Sequence, residues 1–495
     1  MEPVGNHQSY CWQQQNGFYA LVWERGSQLY AAVDHIRSIP LFYALKGSVF
    51  YLSDDAEWVR EQVGNTTMDE IAKEEFQLTG YVTGQDTLYP DVKQLQAGEF
   101  LTINTRAETP QLKTERYYRF LHTEPENYDE QALYQQLDAA ALASIDNLIR
   151  YANGRQIVIP LSGGYDSRLI ATLLKRRGYE NILTFTYGVP GNKESAYSKK
   201  VADALGLKWH FVEYSNEFWR QAWQTEERWQ YQKWASGWNS IAHVQDWLAV
   251  KILKKNSIVK NDSIFVPGHT GDFISGGHIP DIAVKNKKSS LRELSESIKK
   301  KHYSLAPKDE VTKKTEQEWT ERIFKRAEQG TIAIGQDLAN IFEKWEWQER
   351  QAKFICNSVR VYEFYGYDWW MPLWDKEFVK FWQAVPLELR KGKQWYLEFV
   401  KAQYSDWADV KDEEPLNNAS DEVGLKSIIK KILYKNKFLY KITNKLYRIF
   451  IKNNTIKSHL AFEGRYPVEE YEILLRKGYQ SNGIYAYFYL CESEC

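Results

Sequence analysis

The chain has 495 residues, too many for one ordinary hydrophobic core, and at about 150 residues per domain it predicts two to four domains. Apolar residues make up 43% and charged residues 26%, which excludes wholesale disorder; 64 basic against 65 acidic side chains leave a net charge of −1, with no field that would draw the protein onto nucleic acid. The amino terminus lacks the apolar run of a secretory leader, no stretch approaches about eighteen consecutive apolar residues, and Cys11, Cys356, Cys491 and Cys495 are too scattered for a disulfide scaffold or a CxxC metal site, so a cytoplasmic protein is expected.

Residues 17–119 predict a β-rich region, with apolar and β-branched runs at 19–23, 29–33 and 49–52 between Gly, Ser and Asp breaks. At Ile157 the pattern changes. The apolar run 156–161 ends in SGGYDS and leads into a helical pattern through Leu169, Leu173 and Leu174. A second run at 182–187, a helix over about 195–205 and a third run at 209–214 complete the alternation that predicts βαβ units and a parallel sheet, with 263–266 as a fourth strand. The tryptophans at 219, 223, 229, 234, 238 and 247 share one helical-looking stretch; stacking on a sugar is one use for them, but core packing is expected. Residues 315–410 are mainly helical in pattern. Between Lys426 and Lys457 stand ten Lys or Arg and no acid. That stretch leaves two readings open, a basic amphipathic helix resting on a membrane surface or a partner, or a solvated helical face, and the second is expected.

Ser162-Gly163-Gly164-Tyr165-Asp166-Ser167 sits between a strand pattern and a helix pattern. Two glycines allow a sharp turn, and the loop N–H groups with the helix N-terminus form an anion site. Ser162 and Ser167 add hydroxyl donors for a pyrophosphate, and Asp166 is placed to hold Mg2+ against it. No GKS or GKT follows, so this is not a Walker loop.

Four stretches together resemble the asparagine synthetase and β-lactam synthetase-like ATP-pyrophosphatases. They are SGGYDS at 162–167, TFTYGVPGNKESAYSKKVADALG at 184–206, Gly268-His269-Thr270-Gly271-Asp272 with Gly276-Gly277, and GYDWWMPLWD at 366–375 with Lys393 downstream. The resemblance implies an α/β fold, an adenine-nucleotide α-hydrolase-like parallel sheet flanked by helices, over 121–410. It also implies a β-rich, truncated glutaminase-like domain of the Ntn type over 1–120, carried by GFYALVWER at 17–25, PLFY at 40–43 and GYVTGQDTLYPDVKQLQAGE at 80–99. The early part of that domain is expected to be missing. Glu2 stands where the family's glutaminases expose a nucleophilic cysteine, and Cys11 lacks the surrounding motif, so 1–120 is expected to be catalytically inactive. Residues 411–495 are expected to form a helical, basic extension.

The implied reaction is ATP-dependent amide formation by a carbon–nitrogen ligase, with ATP and Mg2+ as cofactors. A carboxylate is adenylated, pyrophosphate leaves, and ammonia or an amine then displaces AMP. By the resemblance, Asp166 and Asp272 hold metal; Leu161 and Gly188 offer backbone groups to adenine; Ser162, Gly163, Gly164, Ser167, Gly268 and Gly271 surround the phosphates; and Lys393, with Lys391 as rival, stabilises the pyrophosphate. Two departures fall where acceptor and amine should meet. His269 stands where the relatives place Glu or Tyr, and Asp368 and Trp370 stand in place of a Glu and an Arg. Two readings of His269 stay open, a general base or amine-positioning group with Asp368 as its orienting partner, or a donor to phosphate or to the loop backbone, while His210, His243 and His278 are read as ordinary hydrogen-bonding histidines. The expected substrate is a small or glycan-linked carboxylate, with a uronic acid of a bacterial surface polysaccharide preferred, and a separate glutaminase is one source of nitrogen. The alternative is a non-catalytic ATP-binding subunit or regulator. A tRNA-thiolating enzyme is disfavoured by the lack of a basic domain and of paired cysteines.

Overall fold

Alternating side chains build the amino-terminal region. Ala20–Arg25 (β1) and Gln28–Val33 (β2) pair antiparallel across a turn holding Gly26, and Phe42–Lys46 (β3) pairs with Val49–Ser53 (β4). Lys93–Gln94 (β5) joins β3, while Glu99–Asn104 (β6) and Leu112–Arg116 (β7) extend the first sheet, giving the orders β1-β2-β6-β7 and β4-β3-β5. Residues two apart on β2 and β6, Ala31 with Val33 and Leu101 with Ile103, cluster with Leu41, Tyr43 and Leu95, so one face of each strand is buried. Two helices interrupt the β pattern, Ala56–Val63 and Glu70–Thr79. Asp55 and Asp69 cap their first turns, and Gly64 and Gly80 end them in the left-handed conformation. The computed structural model describes residues 15–284, 289–308, 313–327, 332–333, 335–408 and 459–494.

The expected parallel sheet is present. Ile157–Pro160 (β8), Ile182–Gly188 (β9), Lys208–Glu213 (β10), Ile264–Phe265 (β11) and, past the small ribbon Ser289–Ser290 (β12) and Ile332–Ala333 (β13), Asp368–Trp369 (β14) stand in the order β10-β9-β8-β11-β14 with every pairing parallel. The chain winds from β8 to one side and, from β11, to the other. The carboxyl ends of β8 and β11 therefore flank a topological switch point, where open α/β sheets bind ligands. Both glycine-rich loops follow these two strands.

The tryptophan stretch is three helices rather than one. Asn216–Trp223 stops before Thr225, whose side chain caps Glu226–Ser236, and Gly237, at φ +52°, separates that helix from Trp247–Lys255. Trp219, Trp223, Trp238 and Trp247 are buried, with Trp229 and Trp234 half-buried against the same core. Packing accounts for them.

The two regions are joined through buried polar groups. Lys353 Nζ donates to Val82 O at 2.9 Å and Gly84 O at 2.7 Å, and pairs with Glu349 at 2.6 Å, which in turn accepts from the Gly84 N–H. Removing one partner of such a fully buried pair costs about 3–5 kcal/mol. Lys353 and Glu349 lie on a π-helical stretch, Trp347–Ile355, a geometry that concentrates at functional sites. The helix Ser481–Glu494 packs on Glu70–Thr79, where Gln77 Nε2 donates to Gly483 O at 2.7 Å, so the described carboxyl-terminal residues bridge both regions. The basic run 426–457 lies outside the described residues, as does Cys11. No helix among the described residues is long and apolar enough to cross a membrane.

Candidate active site

After β8 the loop packs closely because Gly163 and Gly164 carry no side chain, a Cβ falling 3.0 Å from Tyr197 Cβ at the first and 2.9 Å from Ser162 Oγ at the second, and the helix Tyr165–Arg176 begins with Gly164 as its cap and no side-chain capping bond. Its N–H groups are held in place by acceptors. Ser162 N donates to Ser167 Oγ at 3.2 Å, Gly164 N to Ser162 Oγ at 3.0 Å, and Gly163 N to the Glu194 carboxylate at 2.6 Å. A carboxylate resting on the Gly163 N–H is what an anion-binding turn at a helix N-terminus attracts.

The second glycine-rich loop closes over the first. A Cβ at Gly268 would fall 2.7 Å from the Ser167 N, and one at Gly271 would fall 2.6 Å from Asp166 Oδ1. Any side chain at either position would push the two loops apart. Their closeness brings Asp166 and Asp272 together: Asp272 N donates to Asp166 Oδ2 at 3.3 Å, and Tyr396 Oη donates to Asp166 Oδ1 at 2.8 Å. Burial and the Asp272 charge raise the Asp166 pKa to about 7. Burial also works against ionised Asp272, but the His278 hydrogen bond and charge, with Lys393, outweigh it and hold that carboxyl at about 2. His278 Nε2 lies 3.2 Å from Asp272 Oδ2, and its Nδ1 contacts Glu346, which also holds Lys301 at 2.9 Å. Burial lowers the His278 pKa, yet Glu346 and Asp272 raise it further, to about 9. His278, expected to be an ordinary histidine, is thus a cationic bridge between two acids of the site.

As a donor set for a divalent cation, Asp166 and Asp272 fit Mg2+: two hard carboxylates whose mutual repulsion a cation relieves. Among the described residues no group of three His, Cys, Asp or Glu gathers at metal-binding distances.

These residues line a cavity of about 550 Å3 that Ser162, Asp166, His243, His269, Asp272 and Lys393 share. Lys393 reaches it because Gly277 has no side chain, a Cβ there falling 2.9 Å from Lys393 Cδ, whereas Lys391 is exposed and does not line the cavity. A smaller adjoining cavity of about 150 Å3 contains Leu161, Phe185, Thr186, Glu194 and Leu460. Leu161 lines it, with its N–H already given to Phe185 O at 2.8 Å. Gly188 lines neither cavity: its carbonyl accepts from Tyr214 N at 2.8 Å, and a Cβ there would meet His459 O at 2.7 Å, so the segment at 459–460 stands over it.

The His269–Asp368 pairing is not formed. Asp368 opens β14 opposite Ile264, at the amino end of the sheet, with its side chain 50% exposed and ion-paired to Arg155. His269 lies past the carboxyl end of β11, where its Nε2 meets Ser358 Oγ at 2.7 Å. Burial, then His243, lower its pKa to about 4, so it is a neutral and weakly basic ring. His243 has an orienting carboxylate that is not one of the two metal-site acids: its Nε2 lies 3.3 Å from Asp246 Oδ1. Asp246 is buried and also accepts from Tyr187 Oη at 2.5 Å and Tyr362 Oη at 2.7 Å; burial opposes its charge, but His243 and the two phenols hold its pKa at about 2. The His-x-x-Asp spacing at 243–246, just before the helix Trp247–Lys255, was the sequence signal for this pair.

Residues 149–401 match the asparagine synthase family, and residues 3–118 match a glutamine amidotransferase domain. Over 208 residues, 40% of the chain, it is 27% identical to a putative glutamine-hydrolysing asparagine synthetase of Mycobacterium tuberculosis H37Rv, covering 31% of that protein. Over 87 residues, 16% of the chain, it is 32% identical to a tRNA-specific 2-thiouridylase of Bordetella petrii, covering 23% of it. The chain thus spans less than a third of the length of these curated relatives. Among solved structures, the NH3-dependent NAD synthetase of Campylobacter jejuni shares 19% identity over 30% of this chain and 61% of its own, with a TM-score of 0.21.

Proposed function

The chain belongs to the asparagine synthase family, and from that premise we propose that it is an ATP-dependent amide-forming ligase that releases AMP and pyrophosphate. The observation that carries this reading is the meeting of both glycine-rich loops, two carboxylates and Lys393 at the switch point of a parallel sheet. In the first half-reaction a carboxylate oxygen attacks the α-phosphorus of ATP and the bond to the β-phosphate bridge breaks, leaving an acyl-adenylate and pyrophosphate. The Gly163 N–H, released as Glu194 leaves it, and the Ser162 and Ser167 hydroxyls hold the phosphates. Lys393 neutralises the charge that builds on the leaving pyrophosphate. Asp166 and Asp272 would hold Mg2+, which supplies countercharge to the phosphates.

In the second half-reaction an amine nitrogen attacks the acyl carbon, AMP leaves, and one proton must be removed. His243, oriented by Asp246, takes that proton; His269, with Ser358, positions the acceptor. Nitrogen comes as ammonia or an amine. Cys356 is buried and its thiol is pushed well above its usual range by burial, so it is no thiolate nucleophile, and the region 1–120 acts as a supporting domain beside a synthetase domain of 121–410. The carboxylate is of a size to share about 550 Å3 with a nucleotide, and uronic acids are the first class to screen.

The test is pyrophosphate release from ATP and Mg2+ by the purified chain, screened over uronic acids and amino acids with ammonium present. Release that depends on one carboxylate and yields its amide is the expected result. ATP binding with no release for any acid would leave the non-catalytic reading in its place.

A further inference from the structure

Every residue from 347 to 359 is buried except Arg350, Phe354 and Ile355, and all three line the large cavity of the active site. The stretch thus has one accessible face, and that face looks onto the place where the substrates meet. Its last turn, Cys356–Val359, brings Ser358 Oγ to the His269 ring at 2.7 Å. Along this wall stand Arg350, then the apolar pair Phe354 and Ile355, then the polar pair Ser358 and His269.

Arg350 is a cation in excess. Its acidic neighbour is Glu346, one turn back, and Arg350 Nη1 stands 3.6 Å from Glu346 Oε1, beyond hydrogen-bond distance. Glu346 is already engaged: it contacts His278, holds Lys301 at 2.9 Å and accepts from Gln351 Nε2 at 3.3 Å. Other acids of the cavity are engaged as well, Asp272 with His278 and Asp246 with His243 and two phenols. The Arg350 guanidinium lies 6.0 Å from the centre of the Phe354 ring, and its side chain stays 30% exposed. A planar guanidinium that faces a cavity without a carboxylate seated on it suits a carboxylate or a phosphate held by two N–H groups.

We propose that Arg350 sets the substrate class of the ligase by binding a second anionic group of the acceptor, a carboxylate or a phosphate remote from the carboxylate that reacts. The body of the acceptor lies over Phe354 and Ile355, and its reacting end lies at His269 and Ser358. The assignment of the reacting end rests on the ligase reading. Two turns of helix and two apolar side chains separate the anionic ends, so an acid with its charges on nearby carbons does not span the wall.

The test is calorimetric titration of the full chain, with Mg2+ and a non-hydrolysable ATP analogue present to fill the phosphate end. Four probes are compared: D-glucuronate, with one anionic group; D-glucarate, with a carboxylate at each end; D-glucuronic acid 1-phosphate, with a phosphate at the far end; and L-aspartate, a short dianion. At least one long dianion should bind about tenfold or more tightly than glucuronate and aspartate, the gain expected for hydrogen bonds to a charged group. Which of the two binds tells a carboxylate from a phosphate. Arg350→Gln should abolish that preference and leave glucuronate unchanged, whereas a merely structural loss would weaken all four acids alike. Arg350→Lys, which keeps the charge without the fork, should narrow the preference, and it decides should Arg350→Gln fail to fold. Pyrophosphate release with the same acids is measured separately. Preference without release supports the Arg350 subsite and ends the ligase reading; release without preference ends the proposal. The proposal is also overturned if aspartate matches the long dianions, if Arg350→Gln keeps the preference, or if it weakens the ATP analogue instead, which would place Arg350 on the phosphates.

Discussion

Replacing His243 and His269 separately by alanine should break different things. His243 is the ring with a buried carboxylate behind it, 3.3 Å from Asp246 Oδ1, and a positioned general base contributes about 10²–10⁴-fold to the step in which a proton is removed. His269, at a pKa of about 4, is a poor acceptor for the proton of an amine at neutral pH, and what its removal forfeits is the 2.7 Å bond with Ser358. A neutral hydrogen bond has a net worth of about 1 kcal/mol, or about fivefold. The two half-reactions separate the outcomes. Exchange of labelled pyrophosphate into ATP, measured with the carboxylate that supports pyrophosphate release, reports adenylation; amide yield reports the second step. His243→Ala should keep exchange and lose amide yield by about 100-fold or more, while His269→Ala should lower amide yield by about fivefold. The assignment is refuted if His269→Ala collapses amide yield while His243→Ala stays within about fivefold of the parent. Loss of exchange in His243→Ala would move that residue to the phosphate side of the cavity and equally end its role as base.

Asp166→Asn and Asp272→Asn should each cut pyrophosphate release by about 100-fold or more, with circular dichroism unchanged, because the cation's countercharge at the phosphates is worth several kcal/mol; parent-level release by either would dismiss the carboxylate pair. Lys393→Ala should slow pyrophosphate release strongly and Lys391→Ala should not, since only Lys393 lines the cavity; equal effects would show the assignment to be mistaken. Purified protein given glutamine should release no glutamate, and measurable release would mean that the region 1–120 retains glutaminase chemistry. For stability, the His278 pKa of about 9 lies above the ordinary value of 6.5, so its contribution is present below pH 6.5 and is lost as pH rises through 9. The urea midpoint of the cation-free protein should fall across that window by a shift equivalent to at most about 3 kcal/mol, and His278→Gln should flatten the slope; an unchanged slope would show that His278 is not charged in the fold.

The parts of the molecule that could be read in advance are those that local chemistry dictates. SGGYDS needs its glycines for close contacts, with a Cβ falling 3.0 Å from Tyr197 Cβ at Gly163 and 2.9 Å from Ser162 Oγ at Gly164. The apolar runs at 157, 182 and 264 became β8, β9 and β11 because a buried strand leaves a continuous apolar signature, while the edge strand β10 is only partly buried. Asp166 was reached from the loop's own chemistry, whereas Asp272 and Lys393 came from the family resemblance, and the close approach of the two loops at Gly268 and Gly271 sets Asp272 beside Asp166. The two helices in the amino-terminal region were missed although Asp55 and Asp69 cap them, because they are short pieces set among strands. Asp368 failed for a different reason. Its place in a motif says which residue it is, not which end of a strand it occupies, and β14 spans two residues with no pattern that betrays its direction. Only the parallel register, Ile264 against Asp368, shows that its side chain starts at the amino end of the sheet, while everything that binds gathers at the carboxyl end. The proposed base therefore has a different address. A base near an amine needs an orienting acid, and the chain supplies one three residues from His243 rather than about a hundred from His269. Tyr187 and Tyr362, from strand β9 and the helix Arg360–Phe364, hydrogen-bond Asp246 and with His243 favour its ionised form in a buried place, so the proposed base would depend on both phenols. No spacing along the chain could have assembled those four residues, because three separate elements deliver them.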